Sequence, residues 1–330
     1  MTVKTLAELA GVSPATISLV LNNRKGVSDK KRQEILDLIE KYGYTPPQKD
    51  PFRKRNILFI KYSKTGHIVE ENVGFISGIL DAVEAECQKL NYQLTIMARE
   101  RNLEEALKVI EESDFYGIII LGTELEESDY QTLKSLNLPY VIVDNSMPHF
   151  ACNSVAIDNK DNVYKIIEYF AEKGFEEIGY FKGNENIQNF KEREEGFYEA
   201  AARFNLKFSE EDIFEVPSTM LGAFEVTQTY LEQKRRLPKC VFADNDIIAI
   251  GVMKALNQAG YEIPDDISVI GFDNIPFAQI HSPTITTMNV DTRILGELAL
   301  KLLRNVELSP KYNNIKIKVG GELIPRQSTL

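Results

Sequence analysis

The sequence predicts a small all-α domain followed by a large α/β domain of two lobes, in which parallel sheets are covered by helices on both faces. The first 45 residues carry apolar residues at helical spacing. From Asn56 onward, short apolar runs alternate with amphipathic stretches, the pattern of parallel strands joined by helices. The alternation continues for about 270 residues, more than one such sheet comfortably needs, so two lobes are expected.

A Pro-rich, basic linker without an apolar period separates the two patterns. The large domain after it covers residues 56–330. The predicted segments are a helical head at 1–45, the linker at 46–55, a first lobe at 56–157 with 284–314, and a second lobe at 158–283 with 315–330.

The first two helices of the head have clear boundary signals. The first covers Val3–Ala10 and ends at Gly11, because glycine readily takes the left-handed conformation that follows a helix. The second begins at Pro14 after the N-cap Ser13 and runs to about Leu21, since proline suits the first helical position.

A third helix completes the head. It begins after the N-cap Ser28, runs through Lys41 and ends at Gly43, before the prolines of the linker. Ala7 and Ala10 are small enough for the first two helices to cross closely. The three helices can therefore share one small apolar core.

This spacing predicts a helix-turn-helix, whose second helix enters the major groove of DNA. A three-helix module that binds protein is the alternative that spacing alone leaves open. The predicted outer face of the second helix consists of Pro14, Ala15, Thr16, Ser18 and Leu19.

Charge is distributed unevenly along the chain. The whole sequence has a formal net charge of −11. Residues 1–55 nevertheless hold eleven Lys and Arg against six Asp and Glu, and the remaining residues hold 27 against 43. A basic head on an acidic body is the asymmetry expected of a chain that docks one end on a polyanion.

The head resembles the DNA-binding domain of the LacI/GalR family of bacterial transcription regulators. The resemblance rests on about fifteen positions of the first 46 residues, among them Thr5-Leu6-Ala7, Ala10-Gly11-Val12-Ser13, Thr16-Ile17-Ser18, Leu21-Asn22 and Gly43-Tyr44-Thr45-Pro46. It implies double-stranded operator DNA as the partner, with a homodimer on a palindromic site. The residues then expected to contact DNA are Thr5, Ser13, Pro14, Ala15, Thr16, Ser18, Leu19, Asn22, Phe52 and Arg53.

The head and the linker each depart from the family pattern in one place. Leu19 stands where many members carry Arg, so its apolar side chain is expected to meet a thymine methyl group instead of a guanine. The linker lacks the Ala-Arg-x-Leu core of the family's hinge helix and has Pro51 in its middle. Phe52 is either a wedge between base pairs or part of a flexible basic linker that touches phosphates.

The large domain is predicted element by element from its apolar runs. Strands are expected at 57–60, 92–98, 117–121, 140–143, 155–157, 178–181, 240–243 and 269–272. Helices are expected at 75–90, 103–112, 159–173, 192–204, 221–234 and 246–259.

Polar pairs follow four of the predicted strands: Asp144-Asn145, Asp158-Asn159, Asn245-Asp246 and Asp273-Asn274. Ligands of open α/β sheets bind outside the carboxyl ends of the strands, so these pairs are expected to converge on a cleft. Carboxylate and amide groups pair well with hydroxyls, which favours a polyol ligand. Each pair taken alone is also a plausible helix N-cap.

The sequence gives no sign of catalysis, of a metal or cofactor site, or of a membrane span. The three histidines lie on separate predicted loops, and no phosphate-binding or nucleophile motif follows a strand. The three cysteines are far apart, and no stretch approaches about 18 consecutive apolar residues. With no secretory signal pattern at the start, a cytoplasmic protein is expected.

Residues 56–330 resemble the family's effector domain, which is itself similar to periplasmic sugar-binding proteins. The matching stretches include Val155-Ala156-Ile157-Asp158-Asn159, Arg193-Glu194-Glu195-Gly196-Phe197, Ser268-Val269-Ile270-Gly271-Phe272-Asp273-Asn274 and Leu323-Ile324-Pro325-Arg326-Gln327-Ser328-Thr329. The resemblance implies a cleft that binds a sugar or sugar derivative. Its expected contacts are Asp144, Arg193, Asn245 and Asp273, with Tyr62, His67, Glu71 and Asn72 as further candidates on a loop that departs from the family pattern.

These observations together predict a DNA-binding repressor whose operator affinity responds to a small molecule. The helix at 75–90 and the segment 278–283 are candidate dimer contacts. Two alternatives stay open: a regulator controlled by a phosphorylated partner protein, and a cytoplasmic carbohydrate-binding protein without a DNA function.

Overall fold

The structure is a computed structural model of the chain, and it describes residues 3–21, 26–44, 55–100, 103–104, 110, 114–308 and 314–330. The chain divides into a head and a core that begins at Arg55. Each of the two is a compact unit with its own apolar interior.

The head contains the three predicted helices: α1 (Val3–Ala10), α2 (Pro14–Leu21) and α3 (Asp29–Lys41). Gly11 takes a φ of 61°, and the chain turns there so that the Val12 amide donates to the Ala7 carbonyl at 3.0 Å. The shared apolar core consists of Leu6, Ala7, Ala10, Ile17, Val20, Ile35 and Tyr44. The predicted helix boundaries in the head are confirmed.

The core is built on two six-stranded sheets. The first has the order β11-β5-β4-β3-β1-β2 and the second β12-β10-β9-β8-β6-β7. The strands are β1 (Asn56–Ser63), β2 (Gln93–Glu100), β3 (Gly117–Leu121), β4 (Tyr140–Val143), β5 (Ser154–Ile157), β6 (Gly179–Gly183), β7 (Ile213–Val216), β8 (Cys240–Ala243), β9 (Ser268–Asp273), β10 (Thr286–Asn289), β11 (Lys316–Val319) and β12 (Glu322–Ile324). All neighbours pair in parallel except β10 and β12.

Helices cover both faces of each sheet, so the central strands are buried on both sides. The five residues of β3 and the four of β8 are buried without exception, which is why they appear in the sequence as continuous apolar runs. The helices are α4 (Val73–Lys89), α5 (Tyr130–Lys134), α6 (Asn159–Glu172), α7 (Gln188–Phe204), α8 (Met220–Glu232), α9 (Asp246–Gln258), α10 (Pro276–Ile280) and α11 (Thr292–Leu308). The predicted helix at 103–112 lies mostly outside the described residues.

The predicted lobe boundaries are wrong at two strands. β10 lies in the segment predicted for the first lobe, but it pairs with β9 and β12 of the second sheet. β11 lies in the segment predicted for the second lobe, but it pairs with β5 of the first sheet. The chain therefore changes sheets at three places: after β5, after β10 and after β11.

Four strands escape prediction for a shared reason. β7, β11 and β12 lie at sheet edges and contain polar or exposed residues, and β10 is a short Thr-rich strand. None of them forms a long apolar run, so the sequence signal that locates the other eight strands is missing.

Within the part of the chain that the structure describes, every helix is too short or too polar to cross a bilayer. The same part holds no group of three or more His, Cys, Asp or Glu side chains placed to bind a metal ion. The three cysteines, at 87, 152 and 240, are buried thiols.

Candidate functional site

The predicted DNA-contacting residues of the head lie at its surface wherever the structure describes them. Thr5, Ser13, Pro14, Ala15 and Ser18 are exposed. Thr16 and Leu19 are half-buried, whereas Ile17 and Val20 point into the core. Asn22, Phe52 and Arg53 lie outside the described residues.

The N-terminus of α2 is organised by two hydroxyls. The Ser13 Oγ accepts from the Thr16 amide at 3.2 Å, and it lies 3.0 Å from the Thr16 Oγ1. Ser13 therefore caps the helix as predicted, with its hydroxyl already engaged. Leu19 lies one turn further on, against the turn at Gly26, where an added Cβ would be 3.4 Å from the Leu19 Cδ1.

A narrow polar cavity lies between the two lobes of the core, at the carboxyl ends of the strands. Its volume is about 20 Å³, little more than one water molecule needs, because side chains of the two lobes meet directly. The lining residues are Ile68, Asn72, Phe75, Ile76, Thr123, Asp144, Ile187, Asn189, Phe190, Arg193, Asn245 and Asp273.

Arg193 of α7 is the centre of this cleft. Its side chain is 3% exposed, and its Nε donates to the Asn159 Oδ1 at 2.9 Å. One Nη donates to the Asp244 carbonyl, and the other to the Asp273 Oδ1 at 3.4 Å. The guanidinium carbon lies 3.7 Å from the centroid of the Phe272 ring. These contacts hold a buried cation in one orientation.

Direct hydrogen bonds between side chains join the lobes around Arg193. The Asn72 Nδ2 donates to the Asp273 Oδ2 at 2.7 Å, and the Asn189 Nδ2 donates to the Asp144 Oδ1 at 3.0 Å. The Ser146 hydroxyl, two residues after Asp144, donates to the Glu192 Oε1 at 2.5 Å. The first two bonds join residues that line the cavity, so a larger ligand in the cavity must part them.

Two of the cleft carboxylates sit on unusual backbone. Asp144 has a φ of 65° and Asp273 a φ of 100°, both where their strands end. A non-glycine residue at positive φ is strained, and such strain concentrates at functional sites. The turns place both carboxylates on the cavity wall.

Burial raises the pKa of four carboxyls in and beside the cleft. Desolvation is the main cause in each, and it brings the pKa of Asp273 to about 6, of Asp144 and Asp244 to about 7, and of Asp246 to about 8. The Arg193 charge pulls the pKa of Asp244 and Asp273 downward, whereas Asp273 pushes that of Asp144 upward. The site thus concentrates acidic groups around one cation.

Five of the eight predicted effector contacts line the cavity: Asn72, Asp144, Arg193, Asn245 and Asp273. Asn245 also caps α9, since its Oδ1 accepts from the Ile248 amide at 2.9 Å. Asn245 is therefore both a helix cap and a residue of the cavity wall.

Tyr62 and His67 do not line the cavity, so the structure corrects their placement. Side chains alternate along a strand, and Tyr62 shares the face of β1 that packs Leu58 and Ile60 into the core of the first lobe. Its hydroxyl lies 3.4 Å from the Asp129 Oδ1. The His67 ring is 61% exposed and lies 3.4 Å from the Glu185 carboxylate, outside the cavity.

Sequence reasoning missed two polar lining residues. Thr123 follows β3, so the same rule that selects the other strand ends would have found it; its hydroxyl donates to the Asp144 Oδ2 at 2.5 Å. Asn189 precedes Arg193 by one helical turn on α7, which puts both on one helix face. Asn72, a candidate on the departing loop, does line the cavity.

A helix-turn-helix head on a two-lobed α/β core with a polar cleft defines a class: transcription regulators that read DNA with one domain and a ligand with the other. Residues 2–47 match the family described as bacterial regulatory proteins, lacI family, and residues 167–329 match a periplasmic binding protein-like domain. The HTH-type transcriptional repressor PurR of Mannheimia succiniciproducens is 30% identical over 342 residues, covering 99% of this chain and 98% of that protein. The chain belongs to the LacI family.

Solved structures share the fold over the whole chain. A lac repressor dimer bound to operator and the anti-inducer ONPF superposes with a TM-score of 0.73 at 23% identity, covering 100% of this chain and 99% of the other. A complex of the transcriptional regulator CelR with cellobiose also gives 0.73, at 21% identity and 99% coverage of both chains. The predicted family and fold class are confirmed, and the protein is a DNA-binding transcription regulator and not an enzyme.

Proposed function

We propose that the protein is a cytoplasmic repressor that binds a palindromic operator as a homodimer and whose operator affinity is set by a sugar or sugar derivative in the interlobe cleft. The observation that carries the proposal is the convergence of carboxylate, amide and guanidinium groups from both lobes on one cavity. Each of these groups can form two hydrogen bonds with the hydroxyls of a sugar. The cellobiose complex of a regulator with the same fold supports this ligand class.

The lobes supply a switch with two arrangements. A sugar is far larger than the present cavity of about 20 Å³, so its entry requires the Asn72–Asp273 and Asn189–Asp144 contacts to part. The ligand shifts the DNA equilibrium only by its difference in affinity for the two arrangements. The lobe contacts and the ligand contacts are therefore alternatives for the same side chains.

In the head, the exposed hydroxyls and the N-terminal turn of α2 are proposed to hold phosphates, with Pro14, Ala15 and Leu19 facing base edges. Backbone amides at a helix N-terminus and small hydroxyls are good phosphate donors. Thr5, Ser13, Thr16 and Ser18 are the proposed phosphate contacts in the described part of the head. Asn22, Phe52 and Arg53 are proposed as further contacts.

The test combines site selection with titration. Operator sequences are selected from genomic fragments, and binding of the selected site is then measured with and without each member of a sugar panel. Eleven cations in residues 1–55 imply a steep salt dependence. An affinity that stays flat between about 50 and 200 mM salt contradicts the DNA assignment. A phosphorylated protein that changes operator binding where no sugar does would favour the partner-controlled alternative.

Leu19→Arg is expected to shift the selected half-site toward guanine at one position. Arginine can bond a guanine edge through two hydrogen bonds, which gives about 1–3 kcal/mol of discrimination. Repeated site selection with the variant measures this, and Leu9→Arg is a matched control on the exposed surface of α1. An unchanged selection profile means that Leu19 does not face the bases.

Ile280→Glu is expected to convert a homodimer into a monomer. Ile280 is 75% exposed, Phe277 beside it is 57% exposed, and Val73 at the start of α4 is 57% exposed. The two helices adjoin at Gly74, where an added Cβ would be 3.1 Å from Pro276. Exposed apolar residues grouped on adjoining elements are typical of a protein interface, and a second copy of the chain is the proposed occupant.

Sedimentation velocity distinguishes the two states. Leu221→Glu, at a residue 61% exposed on α8, is the control that keeps the wild-type mass. Equal masses for Ile280→Glu and the wild type would place the dimer face elsewhere.

Ala278, part of the predicted contact segment, is buried and belongs to the core.

A further inference from the structure

The loop after β1 is folded around a carboxylate from another strand end. Glu124 follows β3 and is 3% exposed. Its Oε2 accepts from the amides of Lys64 and Thr65 at 2.7 Å and of Gly66 at 3.2 Å, and from the Thr65 hydroxyl at 3.2 Å. Its Oε1 accepts from the amides of Ile68 at 3.3 Å and Val69 at 3.1 Å.

This arrangement is an anion nest that the protein fills with its own side chain. Consecutive amides converge on one point because Gly66 takes a φ of 83°. Burial alone raises the pKa of Glu124, but the backbone hydrogen bonds from Thr65, Val69, Gly66 and Lys64 outweigh it, so the pKa lies below its ordinary value. The carboxylate stays charged at neutral pH.

The nest leads directly into the cleft. Ile68 lines the cavity, and its carbonyl accepts from the Asn72 amide at 3.0 Å. Asn72 then starts α4, since its carbonyl accepts from the Phe75 and Ile76 amides at 3.1 Å. Its side chain donates to Asp273, while its buried Oδ1 has no hydrogen-bond partner among the described residues.

We propose that Glu124 is a positioning residue of the effector cleft, which fixes the loop that presents Asn72, and that the free Oδ1 of Asn72 accepts a hydrogen bond from an O–H or N–H of the effector. A buried acceptor without a partner is costly, so a ligand that supplies a donor there is favoured over one that does not. The inference rests on the proposed effector function, but its first measurement needs no effector.

Glu124→Ala allows a chemical rescue. The substitution removes one methylene and the carboxylate, and acetate has the same heavy atoms as the removed group. Acetate at about 100 mM is expected to occupy the nest by mass action, whereas neutral acetamide is not, because its NH₂ would face amide donors. Glu124→Gln also places an NH₂ group opposite the amide donors, and it serves as a second variant that preserves the side-chain volume.

Hydrogen exchange of the full-length protein measures the effect. In both variants, the amides of residues 64–69 and those of Asn72, Phe75 and Ile76 are expected to exchange at least about tenfold faster than in the wild type. Acetate should restore the wild-type rates in Glu124→Ala, and acetamide should not. The control is Glu126→Ala, two residues after Glu124. It removes a partly exposed carboxylate that lies 2.6 Å from the Lys64 Nζ.

Three results would overturn the inference. The first is unchanged exchange at Asn72, Phe75 and Ile76 in both Glu124 variants, which would show that the carboxylate stabilises only residues 64–69. The second is equal rescue by acetamide, which would show that filled volume matters and charge does not. The third is an equally large effect in Glu126→Ala.

Calorimetry with the sugar-panel member that binds the wild type most tightly then tests the link to the effector. Its affinity is expected to fall at least about tenfold in Glu124→Ala and to recover with acetate. Unchanged affinity overturns the positioning role. If no sugar binds the wild type, the proposed sugar function fails by itself, and the exchange experiment still decides whether Glu124 fixes the cleft.

Discussion

Arg193→Met is expected to abolish effector binding and to destabilise the core by about 3–5 kcal/mol. The substitution removes the one cation among the described residues that line the cavity, and it leaves Asp273 with one fewer partner in a buried site. It also leaves the Asp244 carbonyl and the Asn159 Oδ1 without their donor from Arg193. Buried groups that lose a partner incur most of the cost of desolvation, which explains the size of the effect.

Thermal or denaturant unfolding measures the stability, and calorimetry with a panel sugar measures the binding. Lys191→Met is the matched control, because it removes an exposed cation two residues away on the same helix. Arg193→Lys should recover only part of the loss, since an ammonium cannot reproduce the planar fork of the guanidinium. Operator affinity without effector should change little provided that the variant remains folded.

Wild-type stability in Arg193→Met would show that the buried cation contributes little to holding the cleft together. Wild-type sugar affinity in a folded variant would remove Arg193 from the effector site. The two measurements therefore separate the structural role of Arg193 from its proposed binding role.

The free energy of unfolding is expected to fall by at least about 2 kcal/mol between pH 6 and pH 8. Asp273, Asp144, Asp244 and Asp246 have pKa values of about 6, 7, 7 and 8 in the folded protein, against about 4 in an unfolded chain. The folded state therefore binds more protons than the unfolded state in this window, and stability decreases as pH rises. Because the groups interact, the change belongs to the set of four.

Carboxyl groups whose pKa is lowered by folding make the protein more stable as pH rises, but they do so at a lower pH. Glu124 and Asp291 have pKa values below their ordinary range, so their contribution to stability is present at neutral pH and is lost as pH falls below about 4. They do not change the slope between pH 6 and pH 8, and the two effects can be measured separately.

Asp246→Asn is expected to reduce the slope of stability against pH between pH 6 and pH 8, because three of the four carboxyls remain. Asp246 is fully buried, and it accepts from the Thr287 hydroxyl at 2.6 Å and from the Ile275 amide at 2.9 Å. An amide oxygen can keep the backbone bond, and the NH₂ can donate to the threonine oxygen without any ionisation. Asp161→Asn, at an exposed residue of α6, should leave the pH profile unchanged. A wild-type slope in Asp246→Asn would mean that Asp246 does not titrate in this range.

Local sequence signals are sufficient for the head and for most of the two sheets. Helix ends at Gly11 and Ser28 follow from local backbone chemistry, which needs no distant partner. Most of the eight predicted strands are visible in the sequence because burial on both faces makes a parallel strand apolar throughout. The edge strand β2 is partly exposed and is visible through Leu94, Ile96 and Met97. The strand-end rule also brings Asp144, Asn245 and Asp273 to one cleft, since parallel strands end at the same edge.

Long-range contacts determine how the chain is shared between the lobes and how the cleft is closed. β10 and β11 belong to opposite sheets from those predicted, because short polar strands take their place from hydrogen-bonded neighbours and not from their own composition. The Asn72–Asp273 bond joins residues 201 positions apart, and Glu124 reaches amides about 60 positions away. Contacts between side chains so distant leave no periodic trace in the sequence, because only folding brings them within hydrogen-bond distance.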